Sequence, residues 1–367
     1  MNWPSERLQK RLSLPAESVE EIYALLSRID AVKQSWEFTE KLKPQAIQRL
    51  TQSVIITSTG ASNRIEGNQL TDEEVEKLYR NLRIQQWRTR DQQEVGGYLE
   101  SMEFVFSHFH ELKITESMML HLHAQTLRHS EKDERHRGNY KFGSNRVEAK
   151  DPSGNVLGII FDPTPPHLVA KEMQELVAWY QWADETKVKH PLILIANFIF
   201  EYLAIHPFQD GNGRTSRLLT NLMLLQQGYL FTSIVSHEKL IEQRKADYYL
   251  ALNQTQKRWK TDEEDITPWL LFFLRIVHQQ AEEALKILLR DDREALLSEN
   301  QQDILEWIRT READVFSRGD IIAALDLPAR TIEAAVKRLL DHQFIERLGA
   351  GRATRYRRLS NKHPATS

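Results

Sequence analysis

The 367-residue sequence contains no cysteine. That absence excludes disulfides, thiolate metal sites and cysteine nucleophiles together. A long apolar run is also missing. The most hydrophobic stretch, Pro191–Ile205, is interrupted by Asn197 and Glu201. It falls short of the roughly 20 residues that a bilayer requires. It reads as a buried helix, and no membrane association is expected. Residues 1–7 have no apolar core, so no secretory leader is expected and a cytoplasmic location is. Nor is there a surplus of one charge, because the net charge is only -3 although 28% of residues are charged. A chain that coats nucleic acid or membrane along its whole length is thereby excluded, and any basic surface must be local. No internal repeat is visible, and the Gly-Lys-Ser/Thr ending of a P-loop does not occur beside the glycine-rich segment described below.

What is present is mostly helical pattern. Hydrophobic residues make up 41% of the chain, enough for ordinary cores, and the length suggests two or three units. Residues 17–31 place Val19, Ile22, Leu25, Leu26 and Ile29 on one face. Further helices are predicted over 44–57, 91–109, 115–129, 167–184, 190–205, 214–227, 237–256 and 267–297, with Gly228 as a stop signal. Thr71 to Glu74 reads as a capping box opening another. Residues 147–161 carry short strand-like runs around the turn signal Asp151-Pro152-Ser153-Gly154-Asn155. A β-hairpin is predicted there, with an irregular loop as the alternative. After about residue 297 come three short helices, 300–309, 318–325 and 330–342, then strand runs at 344–347 and 354–357. That order is the one found in a winged helix-turn-helix. The expected organisation is a helical region over 1–110, a catalytic core over 111–295, a winged-helix-like domain over 296–360 and a disordered tail over 361–367.

Between two predicted helices runs His206-Pro207-Phe208-Gln209-Asp210-Gly211-Asn212-Gly213-Arg214-Thr215-Ser216-Arg217. Glycines at a helix start turn backbone N–H groups inward, and the helix dipole adds partial positive charge, so Gly211 to Gly213 is a candidate anion site. Arg214 and Arg217 stand where the dipole disfavours cations, which invites an anionic partner that guanidinium groups match bidentately. Asp210 can hold a hard cation such as Mg2+, and His206 can accept a proton near neutral pH. The segment thus supplies a base, a metal ligand and a polyphosphate cradle.

The same string resembles the Fic signature H-P-F-x-[D/E]-G-N-G-R-x-x-R at every fixed position. The resemblance implies an all-α fold, a Fic helical core with a small β-hairpin flap, followed here by the C-terminal winged helix-turn-helix domain. It implies an adenylyltransferase that moves AMP from ATP, with Mg2+, to hydroxyl side chains of proteins and of itself. His206 would be the general base and Asp210 the Mg2+ ligand. Gly211, Asn212, Gly213 and Arg214 would hold the α- and β-phosphates, and Arg217 the γ-phosphate. Phe208 would anchor the loop. The phosphorylating branch of the family typically has lysine where Gly213 stands, so Gly213 leans toward AMP transfer. A phosphotransferase, or a DNA-associated regulator that senses nucleotide, are the alternatives. Upstream, Ser62-Asn63-Arg64-Ile65-Glu66-Gly67 resembles the family's inhibitory motif, which implies that Glu66, with Ser62 on the same helix face, pairs with Arg217 and blocks the γ-phosphate. Flap residues Val147, Ile159 and Ile160 would contact an extended target, and Tyr249 would border the adenosine. Arg347, Arg352, Arg355, Arg357 and Arg358 make the predicted wing basic, so DNA is a candidate partner for 330–358. Long exposed helices suit a homodimer.

Overall fold

A computed structural model describes residues 5–36, 44–80, 87–150, 156–295, 297–311, 313–325, 327–349 and 354–359. The chain divides into two units, Met1–Leu285 and Lys286–Ser367. In the first, the described helices are α1 (Glu6–Lys10), α2 (Ala16–Trp36), α3 (Pro44–Ile65), α4 (Asp72–Arg80), α5 (Arg90–His108), α6 (Glu116–Thr126), α7 (Pro166–Thr186), α8 (Pro191–Ile205), α9 (Asn212–Gln226), α10 (His237–Gln243) and α11 (Lys245–Gln256). Helix α12 (Thr267–Ala295) runs on past the division. The segment predicted as one helix over 237–256 is two. Arg244, at φ -119° and ψ 34°, ends α10 and turns the chain into α11.

Helix α8 is buried from Leu192 to Ile205 on every side, which is the pattern of a helix without a solvent face. It packs between α7 and α9, while α3 lies against α5 and α10. The two polar residues that interrupt α8 receive the first helix of the chain. Arg11 Nε donates to Asn197 Oδ1 at 2.8 Å and Arg11 Nη1 to Glu201 Oε2 at 2.6 Å. Arg7 also bonds Glu201, and Arg7 Nη1 reaches Glu264 Oε1 at 2.6 Å. Asn197 Nδ2 donates to Leu8 O at 3.2 Å, and Trp259 Nε1 to Glu201 Oε2 at 3.1 Å. Burial opposes ionisation of Glu201, but Arg11 and Arg7 outweigh it and hold the carboxyl below its ordinary range.

The predicted hairpin is present. Strand β1 (Val147–Lys150) pairs antiparallel with β2 (Val156–Phe161). Val147 faces Phe161 and Glu148 faces Ile159, so a register shift leaves Ile160 between paired positions. The turn predicted at 151–155 lies outside the described residues. Arg146 and Asp162 close the base of the hairpin at 3.0 Å.

In the second unit α13 (Glu299–Thr310), β3 (Val315–Phe316), α14 (Arg318–Ala324), α15 (Ala329–Asp341), β4 (Ile345–Leu348) and β5 (Arg355–Arg358) follow in order. The sheet has the order β3-β5-β4, all antiparallel, and β3 is a strand the sequence pattern did not reveal. Ile304, Ile308, Phe316, Ile321, Ile332, Leu339 and Tyr356 form its core. Ser317 and Asp320 cap α14 reciprocally.

Candidate functional site

Helix α8 ends at Ile205 because His206 adopts the left-handed conformation, φ 53° and ψ 62°, and Pro207 cannot continue the helix. A non-glycine residue there costs roughly 1–2 kcal/mol. The turn lifts the His206 ring out of the helical line. Its Nδ1 lies 3.3 Å from Leu203 O, so Nδ1 carries the proton and Nε2 is left as the acceptor. Burial, and then the nearby Lys141 ammonium, lower its pKa to about 4, so the ring is neutral at pH 7.

The loop that follows is tied by its carbonyls. Lys141 Nζ donates to Ile205 O at 3.2 Å, and Lys141 N–H to Pro207 O at 2.9 Å. Asn145 Nδ2 donates to His206 O at 3.3 Å and to Phe208 O at 2.7 Å. His123 Nε2 lies 3.0 Å from Asp210 O, and its ring stacks on Phe208 at 3.7 Å and 3°. Gly138 N–H donates to His123 Nδ1 at 2.9 Å, which fixes the tautomer as Nε2–H. Asn212 closes the loop from within, Oδ1 accepting from Phe208 N–H at 2.9 Å and Nδ2 donating to Phe208 O at 2.8 Å. The Asn212 side chain is therefore a staple, and only its backbone remains for an anion. Gly211, at φ 79°, then turns the chain into α9. First-turn N–H groups of a helix have no acceptor within it, so the start of α9 is a backbone anion site.

Two guanidinium groups converge there, both 3% exposed. Arg214 Nη2 lies 3.4 Å from Asp210 Oδ1 and its Nη1 3.7 Å from Glu94 Oε2, yet its Nε and Nη1 have no hydrogen-bond partner. Arg217 donates through Nε to Ser62 Oγ at 2.8 Å, and through Nη2 to Ser62 O at 2.9 Å and Glu66 Oε1 at 2.7 Å. Its Nη1 is buried without a partner. Burial opposes the Arg217 charge, but Glu66 and the surrounding groups raise its pKa above the ordinary value. The unsatisfied donors are an open invitation to phosphate oxygens, because buried polar groups are seldom left unpaired.

Glu66 stands just past the last helical residue of α3, Ile65, and not on the helix itself. Gly67, at φ 100°, ends the helix, and Asn68 N–H returns to Asn63 O at 3.1 Å. The Glu66 carboxylate lies so close over α9 that a Cβ on Gly213 would meet Oε1 at 2.2 Å. Glycine at 213 thus leaves the space that the Glu66 carboxylate occupies.

Asp210 Oδ1 accepts from Gly211 N–H at 2.6 Å, and Oδ2 from Lys132 Nζ at 3.2 Å. Burial opposes its charge, but Arg214, the Gly211 N–H and Lys132 lower its pKa to about 2. Among the described residues no group of three or more His, Asp and Glu could hold a metal by itself. A single ionised carboxylate beside a phosphate cradle does fit Mg2+, which typically takes one or two carboxylates and completes its shell with phosphate oxygens and water.

Of the adjacent tyrosines, Tyr248 is 3% exposed and packs on Trp269, whereas Tyr249 is 45% exposed. Val147, Ile159 and Ile160 fall in the hairpin strands. Sequence reasoning missed His123, Lys141, Asn145 and Lys132. None lies in a recognisable spacing, and the contacts that give them meaning cross at least 60 residues of chain.

Comparison with known proteins follows this geometry. The Fic/DOC family model matches residues 113–224. A protein adenylyltransferase Fic of Nematostella vectensis is 28% identical over 219 residues, 58% of this chain and 45% of that protein. One of Drosophila persimilis is 29% identical over 227 residues, 61% of this chain and 39% of that protein. The chain thus spans less than half the length of these relatives. A Fic family protein from Desulfovibrio desulfuricans has the same fold, with a TM-score of 0.59, 23% identity, and coverage of 94% of this chain and 97% of that one. A Fic domain containing signaling protein from Bacteroides thetaiotaomicron superposes with a TM-score of 0.59 at 24% identity, covering 71% and 97%. With a matched segment that carries the whole loop from His206 to Arg217, on this helical architecture, the chain contains a Fic domain.

Proposed function

We propose that this protein is an autoinhibited adenylyltransferase that moves AMP from ATP to a Ser, Thr or Tyr hydroxyl of a target protein or of itself. One observation carries the reading. A neutral imidazole with a free Nε2 stands at the end of α8, while two buried arginines at the start of α9 keep unpaired N–H groups. The names of the relatives support AMP as the transferred group.

In this reading the triphosphate lies along the start of α9, held by first-turn N–H groups and by Arg214. His206 Nε2 takes the proton of the incoming hydroxyl. The hydroxyl oxygen forms a bond to the α-phosphorus in line with the bond to the α–β bridging oxygen. That bond breaks, and pyrophosphate leaves with the electron pair. Asp210 would hold Mg2+, which supplies charge neutralisation on the phosphates. The rest of the catalysis is positioning, and the five tied carbonyls of the loop supply it before substrate arrives.

Glu66 is the brake. Its carboxylate takes one nitrogen of the Arg217 fork that the γ-phosphate needs and places negative charge beside an anion site. Tyr249 would border the adenosine. The edge of the β1–β2 hairpin, with Val147, Ile159 and Ile160, would pair with an extended target segment. The second unit we read as a winged helix over 296–360. Its wing is less basic than the sequence suggested. Arg357 pairs with Glu346 at 3.1 Å, Arg358 is paired with Asp314, and Arg352 lies outside the described residues. A gel-shift assay without salt-sensitive binding would remove DNA as its partner.

The test uses Glu66→Gly, and the same protein with His206→Ala added, each with Mg-ATP labelled on the α- or the γ-phosphate. A gain of one AMP carrying α-label, lost with His206→Ala, is the expected result by intact mass. Transfer of γ-label would make the protein a kinase. No label, with ATP still bound, would make it a nucleotide sensor.

A further inference from the structure

Asp210 is asymmetric. Oδ1 faces inward and is taken by the Gly211 N–H and by Arg214. Oδ2 faces outward, and the hydrogen bond it receives comes from the Lys132 ammonium. That lysine belongs to no part of the Fic signature. It sits on a short 3-10 turn, Glu131–Asp133, whose position is set from below. Asp133 is wholly buried, accepting from Ser130 Oγ at 2.6 Å and pairing with His136 at 3.0 Å. The chain then runs to Gly138, whose N–H holds His123 Nδ1, while the other nitrogen of His123 holds Asp210 O. One imidazole therefore ties the segment that carries Lys132 to the backbone of Asp210. The lysine is aimed at the carboxylate by fixed structure, but its own side chain is 55% exposed. An exposed ion pair of this kind is weak and easily replaced.

We propose that Lys132 is a placeholder cation. It neutralises the outer oxygen of Asp210 while the site is without nucleotide and hinders a divalent cation arriving alone. When metal and triphosphate arrive together, the ammonium moves from the carboxylate to a phosphate oxygen, so that metal and nucleotide load as one unit. The flexible four-carbon stem allows that move without displacing the backbone. This inference rests on Asp210 as the metal ligand, and the experiment separates the two claims.

Mn2+ serves as the probe, its binding followed by electron paramagnetic resonance on the full chain, with and without ATP. Variants are Lys132→Met and Asp210→Asn, each folded as judged by circular dichroism. With Lys132→Met, Mn2+ alone should bind about two- to fivefold more tightly, the range an exposed ion pair allows. Mn2+ with ATP should bind more weakly by a similar factor, because the phosphate loses a cation. Asp210→Asn should weaken Mn2+ binding under both conditions. If Lys132→Met leaves Mn2+ binding unchanged, or shifts both conditions the same way, while Asp210→Asn weakens it, the placeholder is wrong and the metal ligand stands. If Asp210→Asn has no effect, the metal ligand is wrong and the placeholder falls with it.

Discussion

Among the described residues, the arginine–glutamate pairs Arg11–Glu201 and Arg217–Glu66 differ in how completely they are satisfied. At the centre, Arg11 is 1% exposed and every guanidinium nitrogen has an acceptor in Asn197 or Glu201, while Glu201, also 1% exposed, takes Arg7 and Trp259 as well. At the site, Arg217 is as deeply buried, but its Nη1 has no partner and its glutamate is 35% exposed. A saturated pair is structure. A pair with a donor left over and one partner open to water can exchange that partner for a ligand. On the proposed reading, similar chemistry thus serves as a rivet in one place and as a catch in the other, and the number of satisfied donors separates them.

The sharpest way to break that contrast is to remove one carboxylate from each pair. Glu201→Ala leaves Arg11 buried with only the more distant Glu264, at 3.9 Å, as counter-charge, and breaking a buried pair typically costs about 3–5 kcal/mol. Urea denaturation should show a loss of that order, or no folded protein. Glu66→Gly should cost no more than about 1 kcal/mol in the same experiment, because Ser62 still holds Arg217 through two hydrogen bonds and the lost partner is partly solvated. Its effect should fall on self-modification instead, as a rise of at least roughly tenfold, the equivalent of about 1.4 kcal/mol. Comparable destabilisation by both substitutions would erase the distinction.

Acid is a second, gentler probe. His123 is fully buried, and burial lowers its pKa to about 4 despite its bond to Asp210 O. The unfolded chain takes up that proton near pH 6.5, and the folded chain refuses it until about pH 4. Stability is therefore full above pH 6.5 and falls as pH drops toward 4, with His123 contributing at most about 3 kcal/mol of the loss. His206 shifts in the same sense. Denaturation at pH 7 and pH 4.5 should show the decline, and His123→Gln should make it shallower. The smallest effect belongs to the surface. Arg275 and Glu21 form an exposed pair at 2.5 Å, and Glu21→Gln should change stability by less than about 1 kcal/mol.

The sequence displayed the loop from His206 to Arg217 because all of it is local. His206, Asp210, Gly211 to Gly213, Arg214 and Arg217 lie on one turn and one helix start, so spacing alone brought them together. Most helices were legible for a similar reason, as was the capping box, in which Thr71 N–H donates to Glu74 and Glu74 N–H to Thr71. What the pattern concealed depends on distant partners. Asn197 and Glu201 looked like interruptions of an apolar helix, and only the fold shows that Arg7 and Arg11, spaced alike, dock on them. His123 gave no signal, because a histidine among apolar residues reads as core until Asp210 and Gly138 are found on its two nitrogens. The break at Arg244 was hidden as well, since no proline or glycine marks it.

Gly213 belongs to two devices at once. It opens the helix that would receive phosphate, and its missing side chain makes room for the carboxylate of Glu66. A side chain at 213 would press on the end of the Glu66 side chain, and on the proposed reading that would loosen its hold on Arg217. Residue 66 can be lost with the helix start intact, whereas 213 cannot change without consequences for the other. On the proposed reading, the missing Cβ at 213 is part of what makes the restraint fit.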